Sequence, residues 1–183
     1  MFKKYWKFIV IFWSVVLVGI IGVFVFFWLI SAGKLGFMPT FEELENPNNR
    51  FASEVYFADG PIMNRYFEKE NRKYIEYREI PQSVIDALIA TEDVRFYDHS
   101  GVDVRGLFRV AKGLLTANTS AGGGSTISQQ LAKMLFPRES DLNVFELAIR
   151  KFREWVIAVR LEKSYTKEEI LTMYLNTYDF LNL

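Results

Sequence analysis

The sequence lacks several residue types that would indicate particular chemistries. Cysteine is absent from the 183 residues, which excludes disulfides, thiolate metal sites and cysteine nucleophiles but leaves the cellular compartment open. Histidine occurs once, at His99, so a histidine-rich metal site is excluded. Charge of one sign is not in excess, because 22 basic residues balance 22 acidic ones. The chain therefore shows no electrostatic signature of a nucleic-acid binder.

Internal repeats and low-complexity tracts are also missing from the sequence. Half of the residues are hydrophobic and 16% are aromatic, which is too apolar a composition for a disordered chain. At roughly 100 to 200 residues per domain, the length allows one compact domain with an appendage. The composition predicts a chain that folds or inserts into a membrane.

The most apolar stretch is Phe8–Ile30, which carries no charge over 23 residues. At about 1.5 Å rise per residue it would form a helix of about 34 Å, long enough to cross a hydrocarbon core of about 30 Å. A cleavable signal peptide is the alternative, but its apolar region would run for only about 7 to 15 residues. Three lysines precede the stretch and one follows it closely, so the positive-inside rule places residues 1–7 in the cytoplasm. Everything after the span is expected to face outward.

The exported part begins with residues 31–50, whose Gly, Pro and Asn content predicts a linker. Alternating apolar and polar residues on both sides of Asp59 and Gly60 predict a β-hairpin. From Pro81 onward the apolar residues recur at helical spacing. The clearest helices are predicted to start at Pro81, to start near Thr126, to run from about 143 to 163, and to run from 167 to 176. The fold class predicted for residues 51–183 is therefore mainly α with a small β-hairpin.

Glu92 extends the apolar stripe of the helix that starts at Pro81, since it lies three residues beyond Ile89 and four beyond Leu88. Its carboxylate is expected on the buried side, near the C-terminal end of that helix. Burial and the negative helix end would both favour the neutral acid, and such a carboxyl group suits general acid or base chemistry. The alternative is a fraying helix end with Glu92 turned to water. His99, taken alone, is more typical of a loop-fixing hydrogen bonder than of a catalyst.

A glycine-rich loop at residues 122–124 opens the next helix. Thr126 and Gln129 have the spacing of a capping box, and free backbone donors at a positive helix end would form an anion site. Lys133 is three residues after Gln130, so polar side chains and one cation converge on one side of this helix. The spacing of a nucleotide P-loop is absent. The alternative is a flexible loop before an ordinary capped helix.

Arg150 and Glu154 lie four residues apart on the long helix. An arginine at this spacing can hold a carboxylate ionised or bind a phosphate through two hydrogen bonds. The alternative is a surface ion pair worth only tenths of a kcal/mol.

Residues 102–117 place Arg105, Arg109 and Lys112 along one side of a helix, with apolar residues largely elsewhere. A basic amphipathic segment after a membrane anchor suggests a helix at the surface of an anionic bilayer. The alternative is a helix whose apolar side packs into the domain core.

Four motifs occur in an order that resembles a known family. The sequence resembles the peptidoglycan glycosyltransferase domain of class A penicillin-binding proteins and monofunctional glycosyltransferases. The resemblance covers about residues 90–176, and the upstream anchor, linker and hairpin are similar to the usual N-terminal part of a class A protein. The motifs are TEDVRFYDHSGVDVRGLFR, GGGSTISQQLAKMLF, RKFREW and KEEILTMYLN.

The resemblance implies a lysozyme-like fold and the polymerisation of lipid II into β-1,4 glycan with inversion at the sugar. It implies that Glu92 is the general base on the acceptor hydroxyl. It implies that Glu154 assists the diphosphate leaving group, with a divalent cation, Mg or Mn, bound between Glu154 and the diphosphate. No organic cofactor is implied. The remaining residues that it implies around the substrate are Asp93, Phe96 and His99 in the loop after Glu92, and Ser125, Thr126, Gln130, Lys133, Arg150 and Lys151.

The sequence departs from the family pattern in a few places. Ser128 and Met134 stand where Thr and Asn are commoner, and both changes are mild. After Asn176 the family continues with a glycine-rich segment and further helices, so the domain at 51–183 is expected to be C-terminally incomplete. The chain is then expected to be a fragment of a bifunctional class A penicillin-binding protein. Ser31 to Lys34 fits the Ser-x-x-Lys motif of the penicillin-binding reaction but lies at the membrane exit, and no Ser-x-Asn or Lys-Thr-Gly companion follows.

The resemblance implies a single-pass protein of the bacterial inner membrane whose catalytic domain is periplasmic or extracellular. Its expected partners are lipid II, the growing glycan strand, the membrane and proteins of cell-wall synthesis or division. One alternative function is a lytic glycan hydrolase with a lysozyme-like fold, although a cleaving enzyme would not need a second, phosphate-directed cluster. The other alternative is a non-catalytic, anchored partner of a cell-wall synthase.

Overall fold

The computed structural model of the protein describes residues 2–40, 43–44, 53–66, 73–116, 123–136 and 143–178. Two short 3-10 turns, Tyr77–Glu79 and Phe96–Asp98, connect the longer elements. The predicted fold class, mainly α with a small β-hairpin, is confirmed. The helices are α1 Phe2–Ser31, α2 Gln82–Glu92, α3 Val104–Leu115, α4 Ile127–Leu135, α5 Val144–Ser164 and α6 Lys167–Thr177, and the strands are β1 Ser53–Tyr56 and β2 Ile62–Tyr66.

The N-terminal helix α1 begins six residues earlier than the predicted span, because lysine is a good helix former and the basic tail simply continues the helix. Its part Tyr5–Ser31 is long and apolar enough to cross a membrane, with a mean hydropathy of 2.9. The large side chains are exposed, for example Phe8 at 71% and Phe24 at 74%. This exposure excludes a role as a core helix and leaves an apolar surface suited to lipid.

The C-terminal end of α1 packs against α5. The rings of Phe26 and Phe27 meet Phe152 edge to face, with centroids 5.4 and 5.7 Å apart. Arg160 donates from Nη2 to the backbone oxygen of Ser31 over 2.8 Å. Helix α1 is therefore in direct contact with α5, the helix that carries Glu154.

The segment predicted as a linker, 31–50, is described for residues 31–40 and 43–44, and that part is packed on the domain. The Arg153 guanidinium lies so close to Gly36, which has φ +116°, that an added Cβ would be 2.2 Å from its Nη1 atom. Leu44 is fully buried in the core, and its carbonyl accepts a hydrogen bond from the Tyr165 hydroxyl. This region is thus part of the folded unit.

The predicted β-hairpin is present. Strands β1 and β2 pair antiparallel, with Ser53 opposite Tyr66 and an irregularity between Val55 and Tyr56. Gly60 has φ +106° in the turn, a backbone conformation that favours glycine. The Asp59-Gly60 signal therefore placed the turn correctly.

Helix α4 lies at the centre of the helical part and packs against both α5 and α6. The starts of α5 and α6 are fixed by capping boxes, Asn143 with Glu146 and Thr166 with Glu169. Their observed bounds agree with the predicted ones within one residue. The core formed between these helices, α2 and the turns contains Leu44, Ile80, Ile85, Phe96, Ile127, Leu131, Ile157, Leu161, Ile170, Leu171 and Tyr174.

Candidate active site

Glu92 is the last residue of α2 and is exposed, so the expectation that it lies on the buried side is wrong. The helix ends there because Asp93 leaves helical geometry, with φ −156° and ψ 75°. Asp93, four residues after Ile89, takes the inward position instead and is 7% exposed. The Glu92 carboxylate accepts a hydrogen bond from Gln130, with 2.7 Å between Nε2 and Oε2. A carboxylate that is open to a ligand and held on one side suits proton transfer.

Asp93 joins the loop after α2 to the start of α4. Its Oδ2 atom accepts from the backbone N–H of Ile127 over 3.1 Å and lies 3.0 Å from Nε2 of His99. The carboxylate therefore occupies the place where the sequence predicted a ligand anion at the N-terminus of α4. The Ile127 donor of the predicted anion site is thus satisfied by the protein itself, and the anion site as a whole stays a prediction.

Thr126 is the N-cap of α4, but only half of the predicted capping box forms. Its Oγ1 atom accepts from the backbone N–H of Gln129 over 3.2 Å and donates to the Gly101 carbonyl over 2.7 Å. The Gln129 side chain donates to the same carbonyl over 3.2 Å, so it does not return to the cap. Thr126 is 2% exposed and holds the loop at Gly101, and its expected contact with substrate stays a prediction.

Phe96 and His99 are also positioned inside the fold. Phe96 is fully buried, which is incompatible with direct substrate contact in this structure. The side chain of His99 is only 8% exposed and packs edge to face near Phe96, with 6.4 Å between ring centroids. Both residues shape the loop that follows Glu92, and their expected contact with substrate stays a prediction.

Lys167 and Glu162 hold this loop from the other side, and sequence reasoning missed them. Lys167 donates from Nζ to the His99 carbonyl over 2.7 Å and pairs with the 4% exposed Glu162 carboxylate at 2.7 Å. The lysine also lies 4.2 Å from the centre of the Phe96 ring. A cation in the first turn of a helix opposes the helix dipole, so the position of Lys167 was a signal that it needs an acidic partner.

A second polar cluster links the glycine-rich loop to α5. Lys151 donates to the Ser125 hydroxyl over 2.8 Å and to Glu154 over 3.0 Å. The Glu154 side chain is 13% exposed. The alternative of a surface ion pair between Glu154 and Arg150 is therefore replaced by a partly buried contact with Lys151.

The structure brings some predicted site residues into contact and leaves others outside the two clusters. Ser125 and Lys151 meet in the second cluster, and Gln130 meets Glu92. Lys133 is exposed on α4, and Arg150 is half-buried on α5. Within the described residues, neither of these two cations takes part in the hydrogen bonds of the two clusters.

One cavity connects Glu92 with the second cluster, since Glu92 and Ser125 both line it. Sequence reasoning did not assign Arg95 and Asp103 to this cavity. Arg95 binds Asp103 at 2.5 Å, and this hydrogen bond holds the pKa of the Asp103 carboxyl below its usual value. The residues around the cavity are Glu92, Asp93, Val94, Arg95, Asp103, Gly106, Arg109, Gly123, Gly124, Ser125 and Thr126.

Comparison with known proteins decides the family. The family described as transglycosylase matches residues 59–182, which is more than half of the chain. The chain belongs to the transglycosylase family. The matched residues contain both polar clusters and leave α1 outside the match.

Three relatives show the extent of the similarity. Penicillin-binding protein 1A of Escherichia coli K12 is 39% identical over 139 residues, 76% of this transglycosylase and 16% of that protein. The protein of the same name from Haemophilus influenzae is 38% identical over 148 residues, 81% and 16% of the two chains. The one from Vibrio cholerae is 32% identical over 161 residues, 88% and 18%. The chain thus spans less than a fifth of the length of these curated relatives.

The described residues contain no group of three His, Asp or Glu side chains that could hold a metal ion. Glu154 offers one carboxylate, which already pairs with Lys151. Magnesium is commonly bound by one or two carboxylates together with substrate phosphates. The donor set therefore fits an ion that arrives with a diphosphate and does not fit a resident metal centre.

Proposed function

We propose that this chain is the glycosyltransferase part of a class A penicillin-binding protein and polymerises lipid II into β-1,4 glycan strands. The observation that carries the proposal is the cavity that joins Glu92, held by Gln130, to Ser125 and through Lys151 to Glu154. A base on one side and cations on the other are what displacement of a sugar diphosphate requires. Membership of the transglycosylase family supports the same reaction.

Glu92 would remove the proton from the 4-hydroxyl of the acceptor sugar. The oxygen would then attack the anomeric carbon of the donor, and the diphosphate would leave from the opposite side. A single displacement of this kind inverts the configuration and converts an α-linked sugar into a β-1,4 bond. Asp93 and Lys167 would hold the loop beside Glu92, because they bind His99 through its side chain and its carbonyl.

The leaving diphosphate would be bound by Lys133, Arg150 and Lys151. Lys151 is already placed between Ser125 and Glu154, and a diphosphate would compete for its ammonium group. A magnesium or manganese ion would take Glu154 as its protein ligand and substrate oxygens for the rest. When bound, it would neutralise the negative charge that develops on the leaving group.

Two surfaces of the protein would contact the membrane. Helix α1 would cross the inner membrane with its N-terminus in the cytoplasm, as the distribution of lysines favours. Helix α3 exposes Val104 at 57%, Phe108 at 73% and Leu115 at 89%, together with its basic side chains. This exposure argues against the alternative in which α3 packs into the core. The exposure supports contact of α3 with an anionic bilayer, in which the tail of lipid II is inserted.

The test is glycan synthesis by the full chain in detergent or liposomes, with labelled lipid II and separation of the strands by gel electrophoresis. Glu92→Gln is expected to lower the rate by about 100-fold or more, as for other general bases. Glu168→Gln, an exposed carboxylate on α6, is the matched control and should retain the wild-type rate. Equal rates for the two variants would contradict the role of Glu92.

Two other outcomes would replace the proposal. Release of soluble fragments from finished peptidoglycan, without synthesis from lipid II, would identify a lytic glycan hydrolase. Binding to a cell-wall synthase or division protein, with neither activity, would identify a non-catalytic partner.

A further inference from the structure

Three side chains from three helices form one hydrogen-bonded line that ends on Glu92. The Tyr174 hydroxyl, from α6, donates to Oε1 of Gln130 over 2.9 Å. The Gln130 amide, from α4, donates from Nε2 to Oε2 of Glu92 over 2.7 Å. Tyr174 has no role in the proposed reaction so far, apart from its place in the core.

Tyr174 is held rigidly at the inner end of this line. It is 2% exposed, and its ring stacks on Tyr178 with 5.3 Å between centroids and 23° between the ring planes. Burial and, second, the charge of Glu92 raise the pKa of its phenol far above the usual value. The phenol therefore keeps its proton near neutral pH, and this buried O–H group needs an acceptor.

The Gln130 amide can adopt two orientations, and the two differ in what they offer Glu92. With Oε1 toward Tyr174, Nε2 donates to Glu92 and stabilises the carboxylate. With the amide turned over, Oε1 faces Glu92 and accepts a hydrogen bond only from the protonated acid. The turned amide would also leave the Tyr174 hydroxyl without this acceptor. Tyr174 thus favours the orientation that suits ionised Glu92.

We propose that Tyr174 is a positioning residue that, through Gln130, keeps Glu92 in its proton-accepting form. The inference rests on the proposed function for its catalytic meaning, since only a general base needs this form. During turnover the proton taken up by Glu92 would weaken the bond from Nε2. Because Glu92 is exposed, this proton can pass to water, and the bond from Nε2 then favours the carboxylate again.

Other titratable groups lie near Glu92, Gln130 or Tyr174, and the Tyr174→Phe variant must leave them in place. The groups that line the cavity lie on the loop after α2 and on α3. A lysine lies one turn beyond Gln130 on α4, and a tyrosine lies at the end of α6. These groups are Asp93, Arg95, Asp103, Arg109, Lys133 and Tyr178. Tyr174→Phe leaves all of them in place and removes one oxygen atom.

The direct experiment follows the carboxyl carbon of Glu92 by NMR during a pH titration. It uses the full chain with carbon-13 in its glutamate carboxyl groups, and Glu92→Gln identifies the signal. In Tyr174→Phe the titration midpoint should lie about half to one pH unit higher than in the wild type, the equivalent of about one hydrogen bond. Tyr178→Phe removes a hydroxyl from the stacked neighbouring ring and should not move it. An unchanged midpoint in Tyr174→Phe, or equal shifts in both variants, would overturn the proposal.

A double-mutant cycle tests whether the effect passes through Gln130. Gln130→Met has a similar shape and removes both hydrogen bonds, so it should raise the midpoint at least as much as Tyr174→Phe does. Adding Tyr174→Phe to Gln130→Met should then have no further effect. An additive shift would show that Tyr174 acts on Glu92 by another route and would refute the positioning role.

Activity gives the functional readout. The acidic limb of the pH–rate profile with lipid II should move to higher pH in Tyr174→Phe, by the shift that NMR measures, and Tyr178→Phe should keep the wild-type profile. An acidic limb that stays in place while the NMR midpoint moves would refute the catalytic meaning. A wild-type chain that makes no glycan would count against the proposed function, whereas the NMR titration would still decide on Tyr174.

Discussion

Replacing Gly101 by alanine would put a Cβ atom where the loop after α2 meets the backbone of α5. The added carbon would lie 2.8 Å from the carbonyl carbon of Ala158, and Gly101 has φ +93°. Backbone atoms in the middle of a helix cannot move aside as a flexible side chain can. The loop would have to shift, and with it the Gly101 carbonyl, which accepts hydrogen bonds from Thr126 and Gln129.

Two effects add at this position. A left-handed backbone costs a residue other than glycine roughly 1 to 2 kcal/mol. Overpacking against a fixed neighbour costs roughly 1 to 3 kcal/mol more. Gly101→Ala is therefore expected to lower the free energy of unfolding by about 2 to 5 kcal/mol.

Two other glycines separate these effects. Gly60 has φ +106° but no atom within 4 Å of an added Cβ, so Gly60→Ala measures the backbone cost alone. Gly123 has neither a neighbour within 4 Å nor a positive φ, so Gly123→Ala should leave stability nearly unchanged.

The assay is denaturant unfolding of the full chain in one detergent, followed by near-ultraviolet circular dichroism, because the aromatic core around Phe96 reports the packing of this loop. The expected order of destabilisation is Gly101→Ala, then Gly60→Ala, then Gly123→Ala. Equal losses at Gly101 and Gly60 would refute the close approach of the loop to α5. The same result would also weaken the conclusion that the loop beside Glu92 is fixed by contacts on several sides.

Two further predictions concern charge. Because Arg95 lowers the pKa of Asp103 in the folded state, the pair stabilises the fold above the unfolded pKa, and this contribution is lost as the pH falls through the folded value. Asp103→Asn should thus be less stable than the wild type at pH 7, with a difference that shrinks toward pH 3 in urea unfolding; a constant difference would count against the ion pair. Lys133→Ala and Arg150→Ala should each weaken binding of lipid II, measured by fluorescence, more than they lower stability. Parallel losses of binding and stability would instead indicate that these cations are structural.

The features set by local interactions could be predicted from the sequence. Capping boxes at Asn143 and Thr166 fix the starts of α5 and α6 through contacts that span three residues. The turn at Gly60 depends on a single backbone conformation. Such contacts lie within a few residues of the feature that they determine, and these elements are present where apolar spacing and the turn signal predicted them.

The features set by distant contacts could not be predicted. By apolar spacing alone, Glu92 and Asp93 are nearly equivalent candidates for the buried position at the end of α2, because they are adjacent residues. The choice between them depends on Ile127, whose N–H binds Asp93 across 34 residues, and on Gln130, which binds Glu92 across 38. No pattern within α2 contains this information.

The same argument explains the partner of Glu154 and gives the candidate site its physical basis. Spacing along α5 allowed either Arg150 or Lys151 to approach Glu154, and Ser125 favours Lys151 by accepting a hydrogen bond across 26 residues. The start of α4 therefore contacts both clusters. Ser125, the residue before its N-cap, binds Lys151, and Gln130, on the helix itself, binds Glu92. A shift of α4 would disturb the contacts of the proposed base, Glu92, and of the proposed diphosphate-binding residue, Lys151, together. The arrangement of the two clusters relative to each other therefore depends on one short helix.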